Sequence, residues 1–126
     1  MLKKWLGMFY ECYNLKTVKA NNWGANKIAD MSYMFIHCTN LESVYFTNLI
    51  TSKITNMTRA FYGVNKLKYL DMSKATFDQV TSYSGIFTQN IKATIIVADD
   101  TAKSWVEARL ADVGNTSCVV KKASEV

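Results

Sequence analysis

Cys12 and Cys38, with His37 beside the second, are the residues of this chain best suited by type to chemistry. The two cysteines stand one internal repeat apart. If such a spacing stacks one turn on the next, the layers lie about 4.8 Å apart, inside the Cα range that a disulfide needs. Val64 follows at the same interval, however, and a valine there marks a small apolar core position. Buried free thiols are therefore the expectation, ahead of a disulfide and of a metal site. Zinc would need about four ligands at suitable spacing; the chain holds three cysteines, one histidine and no CxxC pair. A serine or cysteine nucleophile could be served only by His37, with no third residue to orient it. Glu11 and Gly63 share the phase of His37, so His37 reads as an exposed turn residue. Asp99-Asp100 could form an acid–base pair or bind a metal, but a helix N-terminus accounts for both carboxylates more simply. No glycine-rich phosphate loop occurs. The sequons Asn56-Met-Thr58 and Asn115-Thr-Ser117 would matter only in a eukaryotic secretory setting. No catalytic, cofactor-binding or metal-ligating residue is expected, and the chain reads as a non-enzyme.

The elements that carry these residues are copies of one segment. Met8-Phe9, Met34-Phe35 and Ala60-Phe61 open three copies at one constant spacing, and Ile86-Phe87 opens a fourth. Leu15, Leu41 and Leu67 agree in phase, as do Val18, Val44 and Leu70, and Ile28, Ile54 and Val80. A unit this short cannot bury its own apolar face, so its copies must stack into a solenoid. The chain then divides into a partial repeat at 1–7, repeats at 8–33, 34–59 and 60–85, and a C-terminal capping unit at 86–126, all in a single domain.

Within a repeat, Leu41-Glu-Ser-Val44-Tyr-Phe46 has the L-x-x-L-x-L form, matched by Leu15 to Ala20 and by Leu67 to Met72. The end of each reads as a short strand with its apolar residues inward. The strand period of two then turns Thr17, Lys19, Asn21, Ser43, Tyr45, Thr47, Tyr69, Asp71 and Ser73 outward, on the face of a parallel sheet. Asp30, Asn56 and Ser82 share a phase and are good helix N-caps. Met31-Ser-Tyr-Met34-Phe35 and Met57-Thr-Arg-Ala60-Phe61 place apolar residues at i, i+3 and i+4, which predicts short helices opposite the sheet. With no proline and five glycines, the turns must depend on Asn, Thr and Ser. Asn14 and Asn40, and then Asn22 and Asn48, share phases suited to side-chain ladders that satisfy the turn backbone.

After Phe87 the pattern changes. Ala93 to Val97 reads as a strand, although Ala93 replaces the leucine and lets the register slip by one. Asp99-Asp100-Thr101 should start a helix over Ala102 to Val113, with Gly114 ending it, and Cys118-Val119-Val120 should form a closing strand. This strand-helix-strand unit would cap the stack. At the other end Trp5 falls on the phase of Met31, halfway through a repeat. The strand from Lys16 to Ala20 would be a bare sheet edge, so either further repeats precede Met1, the preferred reading, or the edge pairs with another chain.

About half of the residues are apolar, enough for one continuous core. No run approaches the ~20 apolar residues of a membrane span. Glu11 interrupts the N-terminal apolar stretch, which reads as structure and not as a signal peptide. The net charge of +5 comes from scattered lysines, not from the one-sided basic platform of a nucleic-acid binder, so nucleic acid is not the expected partner.

Thr51-Ser-Lys-Ile-Thr-Asn-Met-Thr-Arg-Ala-Phe-Tyr-Gly and Met31-Ser-Tyr-Met-Phe-Ile-His-Cys-Thr-Asn-Leu resemble the BspA-like leucine-rich repeats of bacterial surface proteins. The same repeat is known as a lipoprotein repeat of mycoplasmas. The resemblance covers roughly residues 5 to 90, and the closing segment is similar to the ends of such arrays. In the third copy Ala60 and Val64 replace the pattern's Met and Cys, both remaining apolar. The resemblance implies a cell-surface or secreted protein that binds a protein partner, a host extracellular-matrix or plasma protein among the candidates. Tyr45 and Tyr69 would be the anchors of such a surface, since tyrosine offers large contact area at small entropic cost; equally, they would serve strand packing on a solvated face. The alternative is a structural spacer, or a self-association module acting through the N-terminal edge strand.

Overall fold

Each leucine-rich segment pairs with its own copy, so the sheet grows by one strand per repeat. The computed structural model describes residues 3–4, 9–20, 28–46 and 54–126. The expectations placed on Trp5, Met8, Asn21, Asn22, Thr47, Asn48 and the side chain of Ile28 lie outside the described residues. The strands are β1 (Lys3–Lys4), β2 (Thr17–Lys19), β3 (Ile28–Asp30), β4 (Ser43–Tyr45), β5 (Tyr69–Met72) and β6 (Thr94–Val97). The helix α1 (Asp100–Asp112), β7 (Val119–Lys122) and a short 3-10 turn (Ala123–Glu125) complete the order. The fold is mixed α/β, with a five-stranded parallel sheet in the order β2-β4-β5-β6-β7 and one helix among the described residues.

Val18 lies opposite Val44, and Val44 opposite Leu70, so register follows the repeat spacing through β5. Leu70 then lies opposite Ile95 and Ile95 opposite Val120. The slip of one residue allowed by Ala93 does occur. The inward residues Val18, Ala20, Val44, Phe46, Leu70, Met72, Ile95 and Val97 are buried as their alternation requires, and Leu41 and Leu67 are buried in the turns before β4 and β5. Behind them runs a file of phenylalanines: Phe9 on Phe35 at 5.2 Å, Phe35 on Phe61 at 5.4 Å, and Phe61 on Phe87 at 5.9 Å, all with nearly parallel planes.

The short helices expected opposite the sheet are replaced by chains of tight turns, and the backbone hydrogen bonds give the reason. The amides of Met31, Tyr33, Phe35 and His37 donate to the carbonyls of Asn56, Thr58, Ala60 and Tyr62 in the next repeat. Those of Met34, Ile36 and Cys38 donate three residues back, to Met31, Tyr33 and Phe35. The amide of Ser32 donates to Asp30 Oδ1 at 2.8 Å. Every N–H from 31 to 38 is thereby engaged, half of them between layers, and none remains for an i→i−4 helix. Met57, Arg59 and Phe61 repeat the inter-layer pattern onto Ser82, Ser84 and Ile86. Such a zigzag needs left-handed residues, found at Tyr33 and Arg59 (φ 58° and 52°) with Gly85 in phase, and at Glu11 and His37 (φ 53° and 59°) with Gly63 in phase.

Asp30 and Asn56 are accordingly not helix N-caps. Asp30 ends β3 and forms an isolated parallel bridge with Asn56, which in turn bridges Ser82. Their side chains close turns two residues on, Asn56 Oδ1 accepting from the Thr58 amide at 3.0 Å. Of the expected Asn ladder, Asn40 donates from Nδ2 to the Tyr13 carbonyl at 2.7 Å and accepts from Lys66 Nζ at 3.0 Å.

The C-terminal unit follows its local signals. Asp99 Oδ1 caps α1 by accepting from the Ala102 amide at 2.9 Å. At the other end the Gly114 and Asn115 amides donate to the Ala111 and Leu110 carbonyls, with Gly114 at φ +70°, a Schellman ending. Ala102, Val106 and Leu110 are buried beneath the helix, and Trp105 lies flat on Phe77 at 4.5 Å.

Candidate functional site

Strand alternation and register set two rows of side chains on the outer sheet face. One row runs Thr17, Ser43, Tyr69, Thr94, Val119; the other runs Lys19, Tyr45, Asp71, Ile96, Lys121. Thr17 and Lys19 are exposed, and Ser43, Tyr45, Tyr69, Asp71 and Ser73 are half-buried. The structure therefore brings together six of the nine expected face residues in these rows, and Ser73 follows in the turn after β5. Asn21 and Thr47 lie outside the described residues.

Tyr45 and Tyr69 are diagonal neighbours, since Tyr45 lies opposite Asp71 and Tyr69 opposite Ser43. Their rings meet at 5.4 Å between centroids with planes 39° apart, within diagonal reach of large cross-strand side chains. Burial, then the nearby Asp71 carboxylate and Tyr45, raise the Tyr69 hydroxyl above its ordinary pKa. It stays protonated as a hydrogen-bond donor. Asp71 Oδ1 accepts from the Ser73 amide at 2.9 Å, which holds the carboxylate beside the tyrosines and ties down the chain leaving β5.

Thr94, Ile96, Val119 and Lys121 extend this face beyond the expectation, which ended it at the third repeat by treating the next strands as a cap. Neither Thr94-Ile-Ile-Val97 nor Val119-Val-Lys-Lys122 alternates apolar with polar residues, so no local signal marked them. Val119 is 50% exposed although apolar. At the N-terminal ends of the strands, the Glu42 amide donates to the Lys16 carbonyl and the Lys68 amide to the Glu42 carbonyl, so Lys16, Glu42 and Lys68 form a further row. Beside it opens a groove of about 360 Å³ lined by Glu42, Lys66, Lys68, Lys92, Asn65 and Asn90.

The residues weighed for chemistry are occupied structurally. Cys12, Cys38 and Cys118 are free thiols. Cys38 is buried and donates to the Phe9 carbonyl at 2.9 Å, and burial raises its pKa. His37 is half-buried at a left-handed turn with its ring edge-on to Tyr62. Asp99 caps α1, and Asp100 pairs with Lys122 at 3.0 Å. Among the described residues no three His, Cys, Asp or Glu side chains converge as a metal site would need, and no helix is long and apolar enough to cross a membrane.

The chain thus folds as a mixed α/β protein whose parallel sheet gains one strand per sequence repeat from β2 to β5. Its sequence matches, over residues 3–124, the family described as Mycoplasma protein of unknown function, DUF285, and the chain belongs to that family. The description assigns no activity or partner. No curated protein and no solved structure matches the chain.

Proposed function

We propose that the chain is a leucine-rich-repeat solenoid of the BspA-like kind, serving as a non-enzymatic protein-recognition module of a bacterial cell surface. It binds a protein partner, such as a host extracellular-matrix or plasma protein, through the outer sheet face. The observation that carries this reading is the Tyr45–Tyr69 pair, packed at 5.4 Å on a face anchored by parallel strands. Each strand is fixed by its neighbours and by a core of interlocking repeats, so the two rings lose little freedom when a partner covers them. The solenoid reading has its support in the repeat-for-repeat strand register and in the file of stacked phenylalanines.

The test is binding of the purified chain to a panel of extracellular-matrix and plasma proteins by biolayer interferometry at near-physiological salt. Saturable binding to one of them, lost in Tyr45→Ala and Tyr69→Ala while the melting temperature hardly moves, is the expected result. An unaltered affinity in both variants would sink this use of the face.

One observation favours a second reading, a spacer or self-association module. Among the described residues β2 is an end strand of the five-stranded sheet, paired with β4. An open strand edge is a template for another strand. Sedimentation velocity decides between them: a strictly monomeric chain removes the self-joining version.

A further inference from the structure

The charge around the tyrosine pair is one-sided. Lys19 and Lys121 end the row that contains Tyr45, and Lys16, Lys66, Lys68 and Lys92 stand at the strand starts, all six of them exposed. Two carboxylates, Glu42 and Asp71, share the region. Asp71 already accepts from the Ser73 amide. Glu42 meets Lys68 only at 4.0 Å, and the Lys68 side chain is 74% exposed. So loose and solvated a pair contributes little to the fold, which leaves Lys68 able to turn to a partner. Six ammonium groups against two carboxylates account for most of the chain's net charge of +5. Three of the six, Lys66, Lys68 and Lys92, line one groove with the amides of Asn65 and Asn90. Next to this groove the face carries the two tyrosines on β4 and β5 and the exposed Val119 on β7, with Ser43, Asp71 and Thr94 among them.

We infer that the partner segment is an acidic polypeptide in which carboxylates alternate with apolar side chains. The inference rests on the reading of this face as a recognition surface and adds the chemical class of what it recognises. The carboxylates lie along Lys66, Lys68 and Lys92, where ammonium and amide donors can meet them. The apolar side chains lie over Tyr45, Tyr69 and Val119. A sulfated polysaccharide would satisfy the lysines but has no apolar side chains for the tyrosines and Val119, so polypeptide is favoured. The lysines would speed encounter and select against basic partners, while the tyrosines hold the complex.

The experiment uses fluorescence anisotropy with the full chain and three probes: a labelled synthetic peptide alternating glutamate with leucine, its lysine-for-glutamate counterpart, and labelled heparin. The acidic peptide should bind saturably and weaken as salt rises; the basic peptide should not bind. Lys66→Gln with Lys68→Gln and Lys92→Gln should lower the affinity on the order of tenfold, equivalent to about 1.4 kcal/mol, and Tyr69→Ala should lower it independently. Circular dichroism melts keep folding separate from binding. Equal binding of both peptides, no binding of the acidic one, or heparin binding indifferent to Tyr69→Ala would overturn the inference. If a matrix or plasma protein binds through the tyrosines and ignores the lysine variants, the recognition reading stands and the acidic class falls. If nothing binds through the tyrosines, both fall.

Discussion

Phe35 and Phe61 hold the same place in adjacent repeats and stack with ring centroids 5.4 Å apart and planes 18° from parallel. The contact joins two repeats, and Phe61 passes it on to Phe87 at 5.9 Å. Phe61 is fully buried. Phe61→Ala should therefore remove packing from three layers at once and cost about 3–5 kcal/mol, the range for a large aromatic lost from a core. Phe61→Leu keeps much of the volume and should cost less. Phe9 is only half-buried, so Phe9→Ala should be the mildest. Urea unfolding read by circular dichroism gives the order, and a Phe61→Ala loss below about 1 kcal/mol would contradict it.

Gly63 and His37 occupy the same place in successive repeats, and both are left-handed. A Cβ on Gly63 would come within 2.6 Å of His37 Nδ1 and 3.3 Å of the His37 backbone nitrogen. Gly63→Ala should destabilise the fold by about 1–2 kcal/mol from the positive φ alone, with the steric contact added. Adding His37→Gly removes the ring and relaxes a second strained residue. The double variant should recover part of the loss beyond the sum of the single effects. Strict additivity in thermal melts would show that the two layers do not meet as described.

The strands of the five-stranded sheet were legible in the sequence; the β1–β3 pair and the turns between strands were not. Val44 and Phe46 show their inward positions through alternation, a local property of one segment. Asp99 and Gly114 likewise mark the ends of α1 through groups only a few residues away. The region from Met31 to Cys38 carries equally good local signals for a helix: a cap residue, then apolar residues at i, i+3 and i+4. Its conformation is decided instead by carbonyls of the following repeat, which take the alternate amides. Only Gly63 and Gly85, in phase with His37 and Arg59, hinted at left-handed positions. The candidate face was legible in β4 and β5, where the repeat is intact. Ile96 and Lys121 escaped because the register there runs one residue short of the repeat spacing.

Burial raises the thiol pKa values of Cys38 and Cys118. A raised folded value means that the neutral thiol is the form the fold prefers. The stabilisation is complete below the unfolded value, about pH 8.5 for a free thiol, and is lost as pH rises through the folded values. Thermal stability should fall on the alkaline side, and Cys38→Val with Cys118→Ala should flatten part of that fall. Val64 already fills the Cys38 phase one repeat on, so the valine should fit. The native thiols should react with a soluble disulfide reagent more slowly than in urea. A variant whose alkaline profile superimposes on the native one would refute the assignment.

Asn115 is the polar side chain on which the C-terminal unit turns, because it is 7% exposed and uses every group it has. Its Nδ2 donates to the Thr88 and Ile91 carbonyls at 3.0 and 3.1 Å, and its Oδ1 accepts from the Ser117 and Cys118 amides, both at 3.0 Å. It thereby ties the turn before β6 to the turn before β7. Asn115→Ala would strand two carbonyls and two amides, each worth about 1–3 kcal/mol where water cannot replace the partner. The loss should reach about 2–4 kcal/mol after relaxation, large for a single polar residue. Asn115→Asp keeps the shape but turns a carboxylate oxygen towards two carbonyls, so the folded state should hold that proton more tightly than the unfolded chain. Its stability is then present at low pH and lost as pH rises through the raised folded value. Asn115→Ala should show no such dependence. Urea unfolding of both variants at acid and neutral pH separates the loss of donors from the added charge, and an Asn115→Asp protein as stable as the native chain at neutral pH would show that these four bonds do not hold the unit.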